Sequence, residues 1–169
     1  MLRVFIGIGS NVEREANIRR AVAALQAQFG EVKCSPVYRT PAVGFVGDDF
    51  YNLVVEIETD LTVETLAAEL RQIELHQGRH RGEAKFAPRT LDLDLLTYGA
   101  TIGTYGMVVL PRPDILEYPF VLGPLADLAP ELCHPTVQRT YRELWQGRIA
   151  SEPLTPVPNF LSMQAEPSA

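Results

Sequence analysis

The chain has 169 residues, of which 46% are hydrophobic and 21% charged, and this is typical of a single globular domain. Its formal net charge of −6 argues against a general affinity for nucleic acid or for an anionic membrane surface. No apolar stretch approaches the length of a membrane span, and the first residues lack the apolar region of a secretory signal. We therefore expect a cytoplasmic protein that binds neither nucleic acid nor a membrane. We also expect a monomer.

Hydrophobic residues recur at alternating strand and helix spacings along the first 98 residues. In chain order they predict a strand over residues 3–8, a helix over 18–29, strands over 32–38 and 51–58, a helix over 63–73 and a strand over 90–98. The order β-α-β-β-α-β predicts an α+β fold with a ferredoxin-like core, an antiparallel sheet with helices packed on one face.

Weaker patterns follow this βαββαβ core. Two short additional strands are predicted within residues 101–110, and a C-terminal helix near residues 141–145. Four prolines then interrupt any regular pattern, which favours a poorly ordered tail over residues 151–169. We expect one domain over residues 1–150.

Asp92 and Asp94 are the most informative pair in the chain. Alternate residues of a strand share a face, so both carboxylates point one way while Leu91, Leu93 and Leu95 point into a core. Paired carboxylates suit a hard cation such as Mg²⁺. Apolar residues on both sides suggest a central strand. Two acids on the solvent face of an edge strand are the alternative.

A basic segment precedes these aspartates. Residues 71–89 carry five positive charges against two negative ones, which indicates a local anion site, or alternatively a solvated basic helix end. The phosphate loop with Gly-Lys-Ser/Thr, the protein-kinase motifs and the third glycine of the dinucleotide fingerprint are all absent from the sequence. A predicted cation site at Asp92 and Asp94 beside a predicted anion site therefore indicates a phosphate-transfer enzyme that uses none of these motifs.

A possible heterocycle site lies between residues 38 and 52. A loop backbone, the amide of Asn52 and the aromatic residues Phe50 and Tyr51 would suit a flat ring with donors and acceptors on its edge. Spacing alone favours ordinary strand aromatics and a turn-capping amide.

These motifs together resemble the 6-hydroxymethyl-7,8-dihydropterin pyrophosphokinase (HPPK) family. The resemblance rests on IGSN at residues 8–11, YRTP at 38–41, Asn52, IELHQGR at 73–79, PRTLDLD at 88–94, FVL at 120–122 and PLADLAP at 124–130. It covers residues 2 to about 135 in order, and the PRTLDLD block is its most specific part.

The resemblance implies transfer of pyrophosphate from ATP, as co-substrate, to the hydroxymethyl group of the pterin in folate biosynthesis. It implies that Asp92 and Asp94 hold two Mg²⁺ ions and act in catalysis with Arg81 and Arg89. The nucleotide and phosphate site would include Glu74, Arg79, Arg81 and Arg89. The pterin site would include Thr40, Pro41, Val43, Phe50, Asn52 and Phe120, with Asn52 on the edge of the ring and the two phenylalanines on its faces.

Two positions depart from the family pattern. Arg112 stands where a histidine is usual, and Tyr118 stands where an arginine is common. We expect Arg112 to contribute to the nucleotide site, because a guanidinium pairs well with phosphate. Two alternatives stay open: a diverged, non-catalytic pterin-binding paralogue, and another metal-dependent transferase that binds nucleotide but not pterin.

Overall fold

The computed structural model describes residues 1–42, 47–78, 91–148, 154–158 and 160. Its strands are β1 (Leu2–Ser10), β2 (Lys33–Cys34), β3 (Tyr38–Thr40), β4 (Phe50–Thr59), β5 (Asp92–Tyr98), β6 (Gly103–Tyr105), β7 (Val108–Leu110) and β8 (Thr155–Pro156). Its helices are α1 (Arg14–Phe29), α2 (Val63–Gly78), α3 (Asp114–Glu117), α4 (Pro119–Leu128) and α5 (Tyr141–Gln146).

The main sheet is antiparallel and has the order β5-β1-β4-β3-β8, with β2 also pairing with β4. The first four strands of this order confirm the βαββαβ core. The strand predicted over residues 32–38 is in fact two short strands, because Ser35 and Pro36 interrupt it. The Ser35 hydroxyl accepts the N–H of Val54 at 2.9 Å, and proline has no N–H to donate.

The expectation that the two aspartates lie on a central strand is wrong, because β5 is the terminal strand of the described sheet. Its outer edge is covered by polar contacts instead of a further described strand. The Leu93 N–H donates to the Glu74 carboxylate at 2.8 Å, and the Leu96 carbonyl accepts the N–H of Arg112 at 2.8 Å. These contacts satisfy edge groups that would otherwise be open to another chain.

Each face of the sheet has its own hydrophobic core. Residues of one face, including Val4, Ile6 and Leu93, pack with α1 and α2, as the sequence predicts. Phe5 and Leu96 point to the other face and pack with residues of α4 and α5. Helices thus cover both faces of the sheet rather than the one face expected, and the second core supports the region described below.

Helix α4 was not predicted, because its pattern is not amphipathic. All residues from Val121 to Ala126 are buried, so the apolar face has no polar counterpart, and Pro124 lies inside the helix. Pro119 stands in the first turn, where its missing N–H costs nothing.

The additional elements were predicted more successfully. Strands β6 and β7 form a two-stranded sheet of their own beside the main one. Helix α5 begins after Thr140, whose side chain accepts the Glu143 N–H at 3.1 Å. Among the described residues, no helix is long and apolar enough to cross a membrane.

The described part of the tail contacts the domain. Strand β8 pairs with β3, and the Val157 N–H donates to the Val37 carbonyl at 2.8 Å. Phe160 is buried, and its ring meets that of Tyr51 edge-on with the centroids 5.7 Å apart. The proposed boundary at residue 150 stays a prediction.

Candidate active site

A cavity of about 250 Å³ opens on the α4 side of the sheet. Strands β1, β4 and β5 form its floor, and α3, α4 and the start of the loop after β3 form its walls. It is lined by Gly7, Ile8, Gly9, Thr40, Pro41, Phe50, Asn52, Leu53, Val54, Asp92, Asp94, Leu96, Asp114, Tyr118, Phe120 and Val121. Five of the six predicted pterin-site residues and both predicted metal ligands therefore share one cavity.

Two glycines of β1 create the floor of this cavity. Phe5, Gly7 and Gly9 share a face of the strand, so the side-chain row ends after Phe5 and leaves open space. Gly9 pairs with Asn52 on one side and with Asp92 on the other. With strands about 4.8 Å apart, the amide and the carboxylate start from backbone positions roughly 10 Å apart, across a bare backbone.

Asn52 is held in a fixed orientation. Its Nδ2 donates to the Thr40 hydroxyl at 2.6 Å, and both residues are buried. The close approach of β1 also restricts it, because a Cβ placed on Gly9 would lie 2.8 Å from Asn52 Oδ1. An oriented amide at the base of a cavity can read a donor–acceptor edge of a ligand.

Aromatic rings form the apolar walls beside this amide. Phe50 comes from β4 and Phe120 from the first turn of α4, so the structure brings together the two rings expected to hold the heterocycle. Tyr118 stacks on Phe120 with the centroids 5.0 Å apart and the planes 23° from parallel. Tyr118 therefore extends the apolar wall at a position where the family pattern has a cation.

Three carboxylates gather at the other end of the cavity around one guanidinium. Arg112 lies with its terminal nitrogen 3.7 Å from Asp94 Oδ1 and its Nε 3.2 Å from Asp114 Oδ2. Burial by itself would lower the pKa of Arg112, but the charges of Asp94, Asp114 and Asp92 outweigh it and raise that pKa. The guanidinium is therefore a permanent positive charge beside Asp94.

The carboxylates fit a hard cation that arrives with a polyphosphate. Asp92 and Asp94 point from one strand into the cavity, and the Asp94 side chain is 40% exposed. Within the described residues, no three or more His, Cys, Asp or Glu side chains are grouped so that they could hold a metal alone. A Mg²⁺ ion commonly takes only one or two protein carboxylates and completes its shell with phosphate oxygens and water.

Glu74, expected in the nucleotide site, holds the backbone between the two aspartates through its hydrogen bond to Leu93. The remaining predicted residues, Val43, Arg79, Arg81 and Arg89, lie outside the described residues. Their roles stay predictions.

The sequence reasoning missed several residues of the site. The alternation of Gly7 and Gly9 on a strand is a usable signal for an open sheet face. Asp114 gave no signal, because it reaches the cavity from a helix of only four residues. Outside the cavity lining, the Tyr38 hydroxyl donates to Asp127 and so joins β3 to α4, a contact that also depends on tertiary structure.

Comparison with known proteins agrees with this geometry. The family model of 7,8-dihydro-6-hydroxymethylpterin-pyrophosphokinase (HPPK) matches residues 5–130. The enzymes named 2-amino-4-hydroxy-6-hydroxymethyldihydropteridine pyrophosphokinase from Bacillus subtilis and Methylorubrum extorquens are 37% and 39% identical to this chain. The alignments cover 76% and 78% of this chain, and 78% and 85% of the relatives.

Among solved structures, the HPPK-DHPS protein of Plasmodium falciparum matches with a TM-score of 0.69 and 13% identity. The match covers 89% of this chain and 44% of that longer one, and at such low identity it supports the fold alone. The extent of the family match and the identity to its enzymes show more: this chain belongs to the 7,8-dihydro-6-hydroxymethylpterin-pyrophosphokinase (HPPK) family.

Proposed function

We propose that this protein transfers pyrophosphate from ATP to 6-hydroxymethyl-7,8-dihydropterin in folate biosynthesis and releases AMP. The observation that carries the proposal is the row Asn52–Gly9–Asp92, in which an oriented amide and a carboxylate face one cavity from neighbouring strands. A heterocycle bound at the amide would extend its hydroxymethyl arm over Gly9 toward the carboxylates.

The pterin would be recognised at the Asn52 end. The Asn52 amide, fixed by Thr40, would pair with the pyrimidine-like edge of the ring, while Phe50 and Phe120 pack on its faces. Pro41 and, by the family pattern, Val43 complete this pocket. Recognition by a fixed amide disfavours rings without that edge, because Asn52 would lose its partners.

ATP would lie at the carboxylate end. We infer that Asp92 and Asp94 hold two Mg²⁺ ions on its phosphates, with Arg79, Arg81, Arg89 and Arg112 as the cationic contacts. When bound, the ions neutralise phosphate charge and lower the pKa of the attacking hydroxyl. Glu74 fixes the strand that carries both aspartates.

The reaction needs positioning more than covalent help. The hydroxymethyl oxygen attacks the β-phosphorus in line, the bond from the β-phosphorus to the oxygen of the α-phosphate breaks, and AMP leaves with that oxygen. The hydroxyl proton passes to solvent. The buried Asn52–Thr40 pair and the pairing of Gly7 and Gly9 with β5 would set the separation between the acceptor arm and the carboxylates.

The proposal has two further parts: the protein acts as a monomer, and it acts in the cytoplasm. The non-catalytic alternative rested on Arg112 and Tyr118. Tyr118 lines the cavity, Arg112 contacts two carboxylates that line it, and the relatives are named as enzymes.

Incubation with ATP, Mg²⁺ and hydroxymethyldihydropterin, followed by measurement of AMP, tests the activity. AMP at the background level would refute it. We expect Asp94→Ala to abolish AMP release while the circular dichroism spectrum is retained. Asp60→Ala, the same change at an exposed position, is the matched control and should keep full activity. An active Asp94→Ala variant would show that the metal assignment is wrong.

A further inference from the structure

Arg112 is fixed between two carboxylates of the cavity. Its backbone N–H donates to the Leu96 carbonyl at 2.8 Å, so its Cα is attached to the outer edge of β5. Its guanidinium spans from Asp114, at 3.2 Å, to Asp94, at 3.7 Å. The contact with Asp114 is an ion pair without hydrogen-bond geometry, since Arg112 Nε has no hydrogen-bond partner among the described residues, and the contact with Asp94 is a longer ion pair.

The two carboxylates that Arg112 contacts have different roles in the proposed site. Asp94 is one of the carboxylates assigned to the cation, whereas Asp114 comes from α3 and contacts the Nε of the guanidinium instead of its terminal nitrogen. An arginine keeps its charge at all accessible pH values, so it cannot leave Asp94 by losing a proton. A divalent cation at Asp94 would repel the guanidinium at short range, and Arg112 would have to move.

We propose that Arg112 is a resident counter-ion of the metal site, and that Asp114 is the position to which it withdraws when metal occupies Asp94. The inference rests on the proposed function, because it takes Asp94 to be a metal ligand. Arg112 is thus a positioning residue. It compensates the carboxylates before substrates arrive, weakens metal binding to the nucleotide-free protein, and becomes available to phosphate when metal binds.

Asp114 is essential to this exchange. Without it, Asp94 would be the remaining carboxylate within ion-pair distance of the guanidinium among the described residues, so Arg112 would compete more strongly with the metal. The effect of Asp114 on metal affinity should therefore pass through Arg112. If the two residues acted only through their charges, the substitutions at Asp114 and at Arg112 would change the metal affinity independently. If Asp114 bound the metal directly, its substitution would weaken metal binding even without Arg112.

Binding of Mn²⁺ to the nucleotide-free protein, measured by electron paramagnetic resonance, tests the exchange without using activity. We expect Arg112→Gln to bind Mn²⁺ roughly fivefold more tightly, the size of a partly exposed ion pair. Asp114→Asn should bind it more weakly by a similar factor. In the Arg112→Gln background, Asp114→Asn should change the affinity by less than about twofold.

Arg142→Gln is the matched control, since it removes an equal charge from an ion pair with Glu131 outside the cavity lining. It should leave the Mn²⁺ affinity unchanged. If Arg112→Gln binds no more tightly than this control, or if Asp114→Asn keeps its full effect in the double variant, the inference is wrong. Wild-type protein that binds no Mn²⁺ at millimolar concentration would also overturn it.

A second variant covers the case in which Arg112→Gln does not fold. Arg112→Lys retains the charge but presents a compact ammonium that cannot contact both carboxylates as a planar fork. It should bind Mn²⁺ more tightly than wild type, but by less than the roughly fivefold expected for Arg112→Gln, and a wild-type affinity would contradict the proposal. Normal AMP release by the wild type, together with Mn²⁺ binding that the substitutions at Arg112 and Asp114 leave unchanged, would refute this inference alone. The proposed function would then stand.

Discussion

Gly9→Ala tests the recognition end of the cavity more sharply than removing Asn52 itself. The new methyl group would lie 2.8 Å from Asn52 Oδ1, closer than a real Cβ contact, and the amide would have to move. Asn52 is buried and held by Thr40 at 2.6 Å, so movement breaks that hydrogen bond or misdirects the amide. We expect weaker pterin binding, with the metal carboxylates unaltered.

The expected rise in the pterin Kd follows from the hydrogen bonds that the Asn52 amide loses. A buried amide that loses its hydrogen bonds costs about 1–3 kcal/mol, or roughly 5- to 150-fold in Kd for the pterin. Titration calorimetry with 6-hydroxymethylpterin measures this Kd, and AMP release at saturating pterin reports whether the reaction itself is retained. Thermal unfolding of the variant shows whether the fold is intact.

Gly7→Ala is the matched control for this substitution. Gly7 lies on the same strand and the same face, but its added methyl group would meet Leu96 at 3.5 Å, an ordinary contact. Its methyl group also enters the floor of the cavity but does not displace Asn52, so we expect a smaller rise in the pterin Kd than for Gly9→Ala. If Gly9→Ala binds pterin as well as Gly7→Ala does, Asn52 is not the group that reads the ring.

Three further predictions concern stability and thiol chemistry. Burial raises the pKa of Cys34 to about 11, so at pH 8 a disulfide reagent should modify exposed Cys133 first, and equal rates would contradict this assignment. Burial raises the pKa of Tyr141 to about 12 from 10, so the unfolded state loses its proton first and stability falls as pH rises through that interval. The Tyr141 hydroxyl has no hydrogen-bond partner among the described residues, so Tyr141→Phe should preserve the free energy of unfolding at pH 7. The variant should also lose less stability than wild type between pH 10 and 12. A large loss of stability at pH 7 would show that the hydroxyl has a partner. Phe160→Ala should lower the free energy of unfolding in urea by about 3–5 kcal/mol, and no change would show that the tail does not pack on the domain.

The local pattern was sufficient to predict the βαββαβ core. Strand and helix periods in the first 98 residues reflect which side chains are buried, and burial patterns of this kind are visible in a single chain. The same alternation correctly placed Asp92 and Asp94 on one face and Leu91, Leu93 and Leu95 in the core. Where a helix is buried on nearly all sides, as α4 is, the period disappears and the prediction failed.

The sequence by itself determined the family, the core topology and the residue types that the chemistry requires, because these depend on local spacing and on motifs. Only the tertiary structure decided which of these residues meet. It placed Asn52 and Asp92 on either side of Gly9, made β5 a terminal strand, and set Arg112 between Asp94 and Asp114. These relations join residues far apart in the chain, and pairing across a sheet is set by the packing of the whole domain.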